Sequence, residues 1–443
     1  MAIIPQRHLF CWDEVEVLGD LERLILVLKT LPDEPLMRVL ERKRGNGRDD
    51  YPIRAMWNTV LAGVVFGHES VGSLRRELCR NGQLRDVCGL DPLLGVEAVP
   101  KPWNYTRFLK ALLAHEAYIE GMFDAMVKEL CDLLPGFGKT LAMDGKALPS
   151  HARGRKTDEE PKPRDGRRDV DADWGAKTRK KEREDGTLYE QVSRWFGYKL
   201  HLVVDALYEL PVNYAVTRAS VSDIERAPKL VKGLKERHPE VVAACEALTG
   251  DKGYDQTDFV SDLWDDPKVR IKPVIAIRDC WKDGEETHRV SNQRHVVYDP
   301  EGTVYCYCRR TGMRRKMAYG GFEAKRGTLK YRCPAQQYHR DCASLGCCSV
   351  RGAVRIKMAE DRRIFTPIAR SSYRWGREYK KRTAVERVNS RLDVSFGFER
   401  HFIRGLAKMR LRMGLALVVM LAMALGRVRE KRGGMMRSLV RAA

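Results

Sequence analysis

A chain of 443 residues exceeds the roughly 100–200 residues of one folding unit, so two or three units with real cores are expected. With 43% hydrophobic and 32% charged residues the composition excludes disorder throughout, while 81 Lys and Arg against 60 Asp and Glu leave a formal charge of +21. A field of that sign attracts polyanions, nucleic acid first because each neutralised phosphate releases condensed counterions; an anionic membrane surface is the weaker alternative.

The opening MAIIPQRHLFCWDEVE has acidic residues where an export signal needs an apolar core, so a cytoplasmic location is expected. From Val15 to Leu134 apolar residues recur three and four apart in LERLILVLKTL, IRAMWNTVLAGVVF and YTRFLKALLAHEAYIEGMFDAMVKELCDLL, the period of helices with a buried face. Pro, Gly and Asn punctuate them at LPDEP, GNGRDDYP and VEAVPKPWN, and Asn104 or Thr106 is placed to cap the long helix that follows. Residues 1–135 read as an all-helical N-terminal domain.

The character changes over 136–280. KTLAM reads as a strand that stops at Asp144, and the charged, Pro- and Gly-rich stretch 150–191 reads as a flexible loop. FGYKLHLVVDA and LPVNYAVTRA, joined by Leu-Tyr-Glu, form an antiparallel hairpin. A helix in ERAPKLVKGLKERHP, a strand in EALTG that stops at Asp251, a helix in QTDFVSDLWDD and a strand in VRIKPVIAIRD alternate as parallel pairing requires.

Residues 281–365 hold neither period and are rich in Cys, Arg, Gly and Tyr, so they read as an insertion. The helices REYKKRTAVERVNSRLD and LAKMRLRMGLALVVMLAMALGR complete the second unit over 366–428, and 429–443 is a basic tail expected to be loose. The apolar run Met413 to Leu425 is shorter than the ~20 residues needed to span a bilayer and reads as a buried helix, with no membrane partner. The fold class is α/β with a mixed sheet, preceded by an all-α domain and interrupted by a Cys-rich insertion.

Twelve cysteines in a reducing compartment are not expected to pair as disulfides. Cys11, Cys79, Cys88, Cys131 and Cys245 have apolar surroundings and suit the core. Between Cys306 and Cys348, four ligands for a structural Zn²⁺ are available: Cys306 or Cys308, then Cys333, Cys342 and Cys347. The alternative is a loop of unligated, oxidation-prone thiols. The arginines and aromatics of CYCRRTGMRRKMAYGGFEAKRGTLKYR suit contact with a nucleic-acid backbone, or make a solvated basic face.

Three acidic residues carry the chemistry. Asp144 and Asp251 each close an apolar strand, so they would project from the carboxyl edge of one sheet, where open sheets bind ligands. Glu386 lies on a later helix, with Arg382 four residues earlier on the same face. Hard carboxylate oxygens suit Mg²⁺ or Mn²⁺, and two such ions can activate an attacking oxygen and stabilise a leaving one in phosphodiester chemistry. Without a cation, clustered carboxylates would raise each other's pKa. Asp-Gly and Asp-Lys-Gly are also ordinary turn sequences, and a glutamate on a basic helix is ordinarily an ion-pair partner.

At these residues the chain resembles the DDE transposases of bacterial insertion sequences. LAMDGKAL resembles the first-aspartate strand, GYKLHLVVD with VTRASVSD the second and third strands, and LTGDKGYDQTDF the second-aspartate block. Tyr379, Arg382 and Glu386 reproduce the spacing of the glutamate helix in the IS4-like and IS5-like group; where that group has a lysine seven residues beyond the glutamate, this chain has Asp393, and Arg387 or Arg391 would take the basic role. YPIRAMWNTVLAGVVFGHESVGSLRREL through YTRFLKAL resembles the N-terminal domain of the same branch, associated there with recognising element ends.

The resemblance implies a ribonuclease H-like catalytic domain that frees a 3′-hydroxyl at a transposon end and joins it to target DNA, using two Mg²⁺ or Mn²⁺ ions held by Asp144, Asp251 and Glu386. It implies a nucleoid-associated bacterial protein that binds double-stranded DNA as a homodimer. Lys146, Lys199, His201, Lys252, Tyr379 and Arg382 would hold phosphates, the arginine by bidentate contact; for Lys199 and His201 the alternative is simply facing outward from a strand. Two other readings stay open: a DNA-binding relative without catalysis, and a metal-dependent nuclease that never joins strands.

Overall fold

The structure is a computed structural model that describes residues 19–45, 51–154, 169–183, 185–278, 281, 283–291, 293–346, 348, 350 and 352–438. The amphipathic period of the N-terminal segment produces α1 (Leu21–Thr30), α2 (Glu34–Arg44), α3 (Ile53–Val65), α4 (Val71–Arg80) and α5 (Gly82–Cys88). The single long helix expected next is two, α6 (Pro102–Leu113) and α7 (Glu116–Leu133). Proline at its first position starts α6, so neither expected cap is used: Asn104 lies inside the first turn, and the Thr106 hydroxyl donates back to the Pro102 carbonyl at 3.1 Å.

The central sheet has the order β2-β3-β1-β5-β6, with β4 also paired to β3. Its strands are β1 (Thr140–Pro149), β2 (Asp173–Glu182), β3 (Leu188–Asp205), β4 (Leu210–Arg218), β5 (Ala247–Gly250) and β6 (Lys272–Ile275). The first four strands pair antiparallel, whereas β1, β5 and β6 run parallel, linked through α8 (Asp223–Arg237), α9 (Pro239–Ala244) and α10 (Thr257–Asp265). The mixed sheet and the β3–β4 hairpin match the sequence reading.

The flexible loop over 150–191 does not. Asp173 through Glu182 form β2 in continuous register with β3, so mutual pairing of two polar strands outweighs their charged composition. Residues 155–168 and 184 of that stretch lie outside the described residues.

The segment read as lacking any period builds two small antiparallel sheets. One holds β7 (His288–Arg289), β8 (Val296–Tyr298), β9 (Val304–Tyr307) and β10 (Arg314–Lys316); the other holds β11 (Ala318–Glu323), β12 (Thr328–Arg332) and β13 (Ala353–Lys357). Strands of two to six residues are too short to display alternation, and α11 (Pro334–Gln337) interrupts them. They share a core of their own around Tyr298, Leu329, Tyr331 and Phe365.

The expected glutamate helix is also two, α12 (Tyr373–Lys380) and α13 (Thr383–Val394). The last helix, α14 (Leu406–Arg429), is long and apolar enough by composition to cross a membrane. Here every residue from Met413 to Arg427 is buried in the fold, against α1, α3, α6, α7 and β4. Its closeness to α1 requires glycine, because a Cβ on Gly426 would meet Leu26 Cδ1 at 2.6 Å. The basic tail is partly docked: Met436 joins the main core, and Arg437 donates to Glu209 Oε1 at 3.0 Å.

Candidate active site

Parallel pairing of β1 with β5 runs Thr140 opposite Ala247, Leu141 opposite Leu248 and Ala142 opposite Thr249. Two residues further along each chain, just beyond the last paired position, stand Asp144 and Asp251. Asp144 is not at a strand end as expected: β1 continues to Pro149 against β3, and Asp144 sits just beyond the point where its pairing with β5 stops. That local parting of strands leaves room beside the carboxylate.

The Asp251 turn is held on both sides. Gly253 N–H donates to Asp251 Oδ1 at 2.7 Å, and Arg278 reaches over to donate to the carbonyls of Lys252 and Gly253 at 2.6 and 2.9 Å. Burial pushes the Asp144 carboxyl up to about 6; the Asp251 charge adds to the rise, and Lys177 and Arg382 work against it. The buried Tyr254 hydroxyl, raised by burial and then by the charges of Asp223, Asp144 and Asp251, has no hydrogen-bond partner. Three carboxylates therefore act on one spot.

Helix α13 crosses this spot. Asn389 donates to Asp144 Oδ2 at 3.4 Å, and Glu386, one turn earlier, is exposed and takes Arg382 at 2.8 Å. The structure thus joins two of the expected acids and leaves the third one helical turn away, committed to its arginine. Among the described residues no three His, Cys, Asp or Glu side chains stand where they could hold one metal ion. The donor chemistry nevertheless fits a hard divalent cation, because Asp144 and Asp251 offer two neighbouring carboxylates, the first of them buried and raised.

The expected phosphate contacts divide. Lys252 is exposed beside Asp251. Tyr379 stacks on Trp375 with ring centroids 4.9 Å apart, and the Arg382 guanidinium lies 5.7 Å from the Tyr379 centroid. Lys146 is taken by Asp393 at 2.5 Å, so the acid at the family's lysine position is neutralised from β1. Arg387 and Arg391 do not stand in for that lysine: both turn to Glu209, at 2.7 and 3.5 Å. Lys199 points inward, donating to the Val221 carbonyl at 2.9 Å with Asp223 at 3.6 Å. His201 is wholly buried, neither outward-facing nor able to reach a phosphate, with Thr217 at 3.0 Å and Asp223 at 3.2 Å.

Sequence reasoning passed over Asp223, Asn389 and Lys177. Asn389 was findable as the residue three beyond Glu386 on one face. Lys177 was hidden in the supposed loop, and Asp223 in a stretch read as a strand end and helix start.

Of the expected zinc ligands, Cys347 lies outside the described residues. Cys306 has Cys333, Cys348 and Cys342 as neighbours whose charges, after burial, push its thiol up to about 11. Cys308 faces Ser344 Oγ at 3.2 Å, and hydrogen bonds from Ser344, Thr311 and Arg310 pull it down to about 6. Cys88 and Cys245 are buried, Cys79 and Cys131 half-buried, and Cys11 is outside the described residues.

A family model for the transposase DDE domain matches residues 136–422, more than half of the chain. No curated protein matches it. Among solved structures, the cryo-EM structure of a piggyBac transposase synaptic complex with hairpin DNA aligns with a TM-score of 0.39 and 11% identity, covering 95% of this chain and 79% of that one. The chain belongs to the DDE transposase family.

Proposed function

We propose that this transposase cuts the ends of a bacterial insertion sequence of the IS4-like or IS5-like group and joins them to target DNA, on a ribonuclease H-like catalytic domain. The carrying observation is the parallel register of β1 and β5, which brings Asp144 and Asp251 just beyond the last paired residues, beside the helix that bears Glu386. Asp144, Asp251 and Glu386 would hold divalent Mg²⁺ or Mn²⁺, which supplies Lewis-acid stabilisation of the reacting phosphate oxygens. Glu386 joins them by letting go of Arg382, which frees the guanidinium for a DNA phosphate.

Exposed Lys252 and the Tyr379–Arg382 pair line the approach to the acids, and a net charge of +21 favours double-stranded DNA as the partner. The helices of 1–135 bind element ends, the synaptic form is a homodimer, and the protein acts in the bacterial cytoplasm on the nucleoid. Cys306 or Cys308, with Cys333, Cys342 and Cys347, would hold a structural zinc ion by drawing together, since no three of the described thiols stand around one point.

The test is a cleavage and joining assay on flanking element ends with and without Mg²⁺. D144N, D251N and E386Q should each abolish Mg²⁺-dependent cleavage while DNA binding persists. Turnover like the unsubstituted protein in any of them removes that residue from the site.

A further inference from the structure

Asp223 is the first residue of α8, immediately after Ser222, whose hydroxyl caps the helix by accepting from Glu225 N–H at 3.2 Å. Its carboxylate does not run out along the helix into solvent. It lies across the two backbones that carry Asp144 and Asp251. A Cβ on Gly145 would stand 2.3 Å from Asp223 Oδ1 and 3.2 Å from Oδ2, and one on Gly253 would stand 3.6 Å from Asp223 Oδ2. Gly145 has no left-handed backbone, so the nearby carboxylate, and not φ, is what excludes a side chain there.

The surroundings hold this acid in place. His201 Nδ1 faces Asp223 Oδ1 at 3.2 Å while its Nε2 lies 3.0 Å from the Thr217 hydroxyl, and Lys199 stands at 3.6 Å. Burial pushes the Asp223 carboxyl up, but His201, Lys199 and Lys177 outweigh it and hold the group below its usual range. A half-buried charge kept against two glycine backbones calls for a reason beyond packing.

Resting on the proposed metal-dependent function, we infer that Asp223 is a positioning residue: a charged wedge that fixes the spacing of the Asp144–Gly145 and Asp251–Gly253 backbones, so that two carboxylates meet one cation. It touches no reacting atom. His201 and Lys199 keep the wedge pressed against the glycines.

Purified full-length protein is titrated with Mn²⁺ and followed by electron paramagnetic resonance, without DNA, for the unsubstituted chain, D144N, D223N, G145A and the D223N/G145A pair. D223N keeps the shape, so its melting curve should stay cooperative. G145A keeps the charge and displaces it. Each should weaken Mn²⁺ binding about 10–100-fold, the range for residues that orient metal ligands, and cleavage should fall with it. The double variant should bind no worse than the weaker single, because both remove one interaction. Affinity like the unsubstituted chain in D223N, or full additivity in the pair, overturns the wedge. If D144N alone weakens binding, the transposase reading stands and the wedge falls. If D144N too binds Mn²⁺ normally, the metal-dependent reading falls and takes the wedge with it. Should G145A fail to fold, D223N decides by itself.

Discussion

Two faces of helix α13 differ by one residue in sequence and by everything in duty. Glu386, Asn389 and Asp393, spaced three and four apart, face β1, where Asn389 reaches Asp144 and Asp393 reaches Lys146. Arg387 and Arg391, centred about 150° around the axis from these three, close on Glu209 at the β3–β4 turn, where Arg437 joins them. The chemistry-bearing face carries Asp393, neutralised by Lys146, and an exposed glutamate paired with Arg382. The opposite face is a clamp of three arginines on one buried carboxylate. Motif spacing alone reports that a basic residue is near the glutamate; the helical angle decides whether it meets substrate or scaffold.

The contrast is broken or sharpened most strongly by cleavage rates. D144N and D251N should slow Mg²⁺-dependent cleavage by at least about 10³-fold, about 4 kcal/mol of barrier, whereas R387A should leave the rate per folded molecule unchanged. A comparable loss in R387A would make the two faces one. Next in size, E209A should destabilise the fold by about 3–5 kcal/mol in denaturant titration, since it leaves three arginine charges facing each other. Burial, with Arg437 and Arg387 nearby, already pulls Arg391 down to about 10 against the opposing pull of Glu209.

The acid face should show the reverse sign. Asp144 is raised in the fold to about 6, so its favourable contribution is complete below the ordinary carboxylate pKa and is lost as pH rises through about 6. Metal-free D144N, permanently neutral, should therefore melt like the unsubstituted chain near pH 4 and be more stable above pH 6.5, by up to about 3 kcal/mol. Equal melting at both pH values would mean that the Asp144 charge is not penalised. Smallest in its effect on catalysis, C306S should remove about one zinc per chain by elemental analysis while cleavage is little changed. Zinc content equal to that of the unsubstituted chain would remove Cys306 from the ligand set.

Where the reading from residues succeeded, the elements were long or the signal local. The β3–β4 hairpin, the parallel strands before Asp144 and Asp251, and the apolar α14 all announce themselves by period. The reading failed where partners far along the chain decide the outcome. Polar β2 is a strand because β3 is there to pair with it, and Asp173 to Glu182 alone read as a loop. The short strands of 288–357 fall below the length at which alternation can be seen. Asp223 escaped because its importance lies in two glycines 78 and 30 residues away, beside which it has to fit. Lys199 and His201, expected to hold phosphates, stand beside that aspartate.

The largely buried α14 also bears on how the chain folds. Leu24, Val27, Trp57 and Phe123 share one continuous core with Met413 to Leu425, so the first helices synthesised wait for the last. At ordinary ribosomal rates the several hundred intervening residues take on the order of tens of seconds, during which the early helices keep an uncovered apolar side. A fragment beginning at residue 136 would therefore lack one wall of that core.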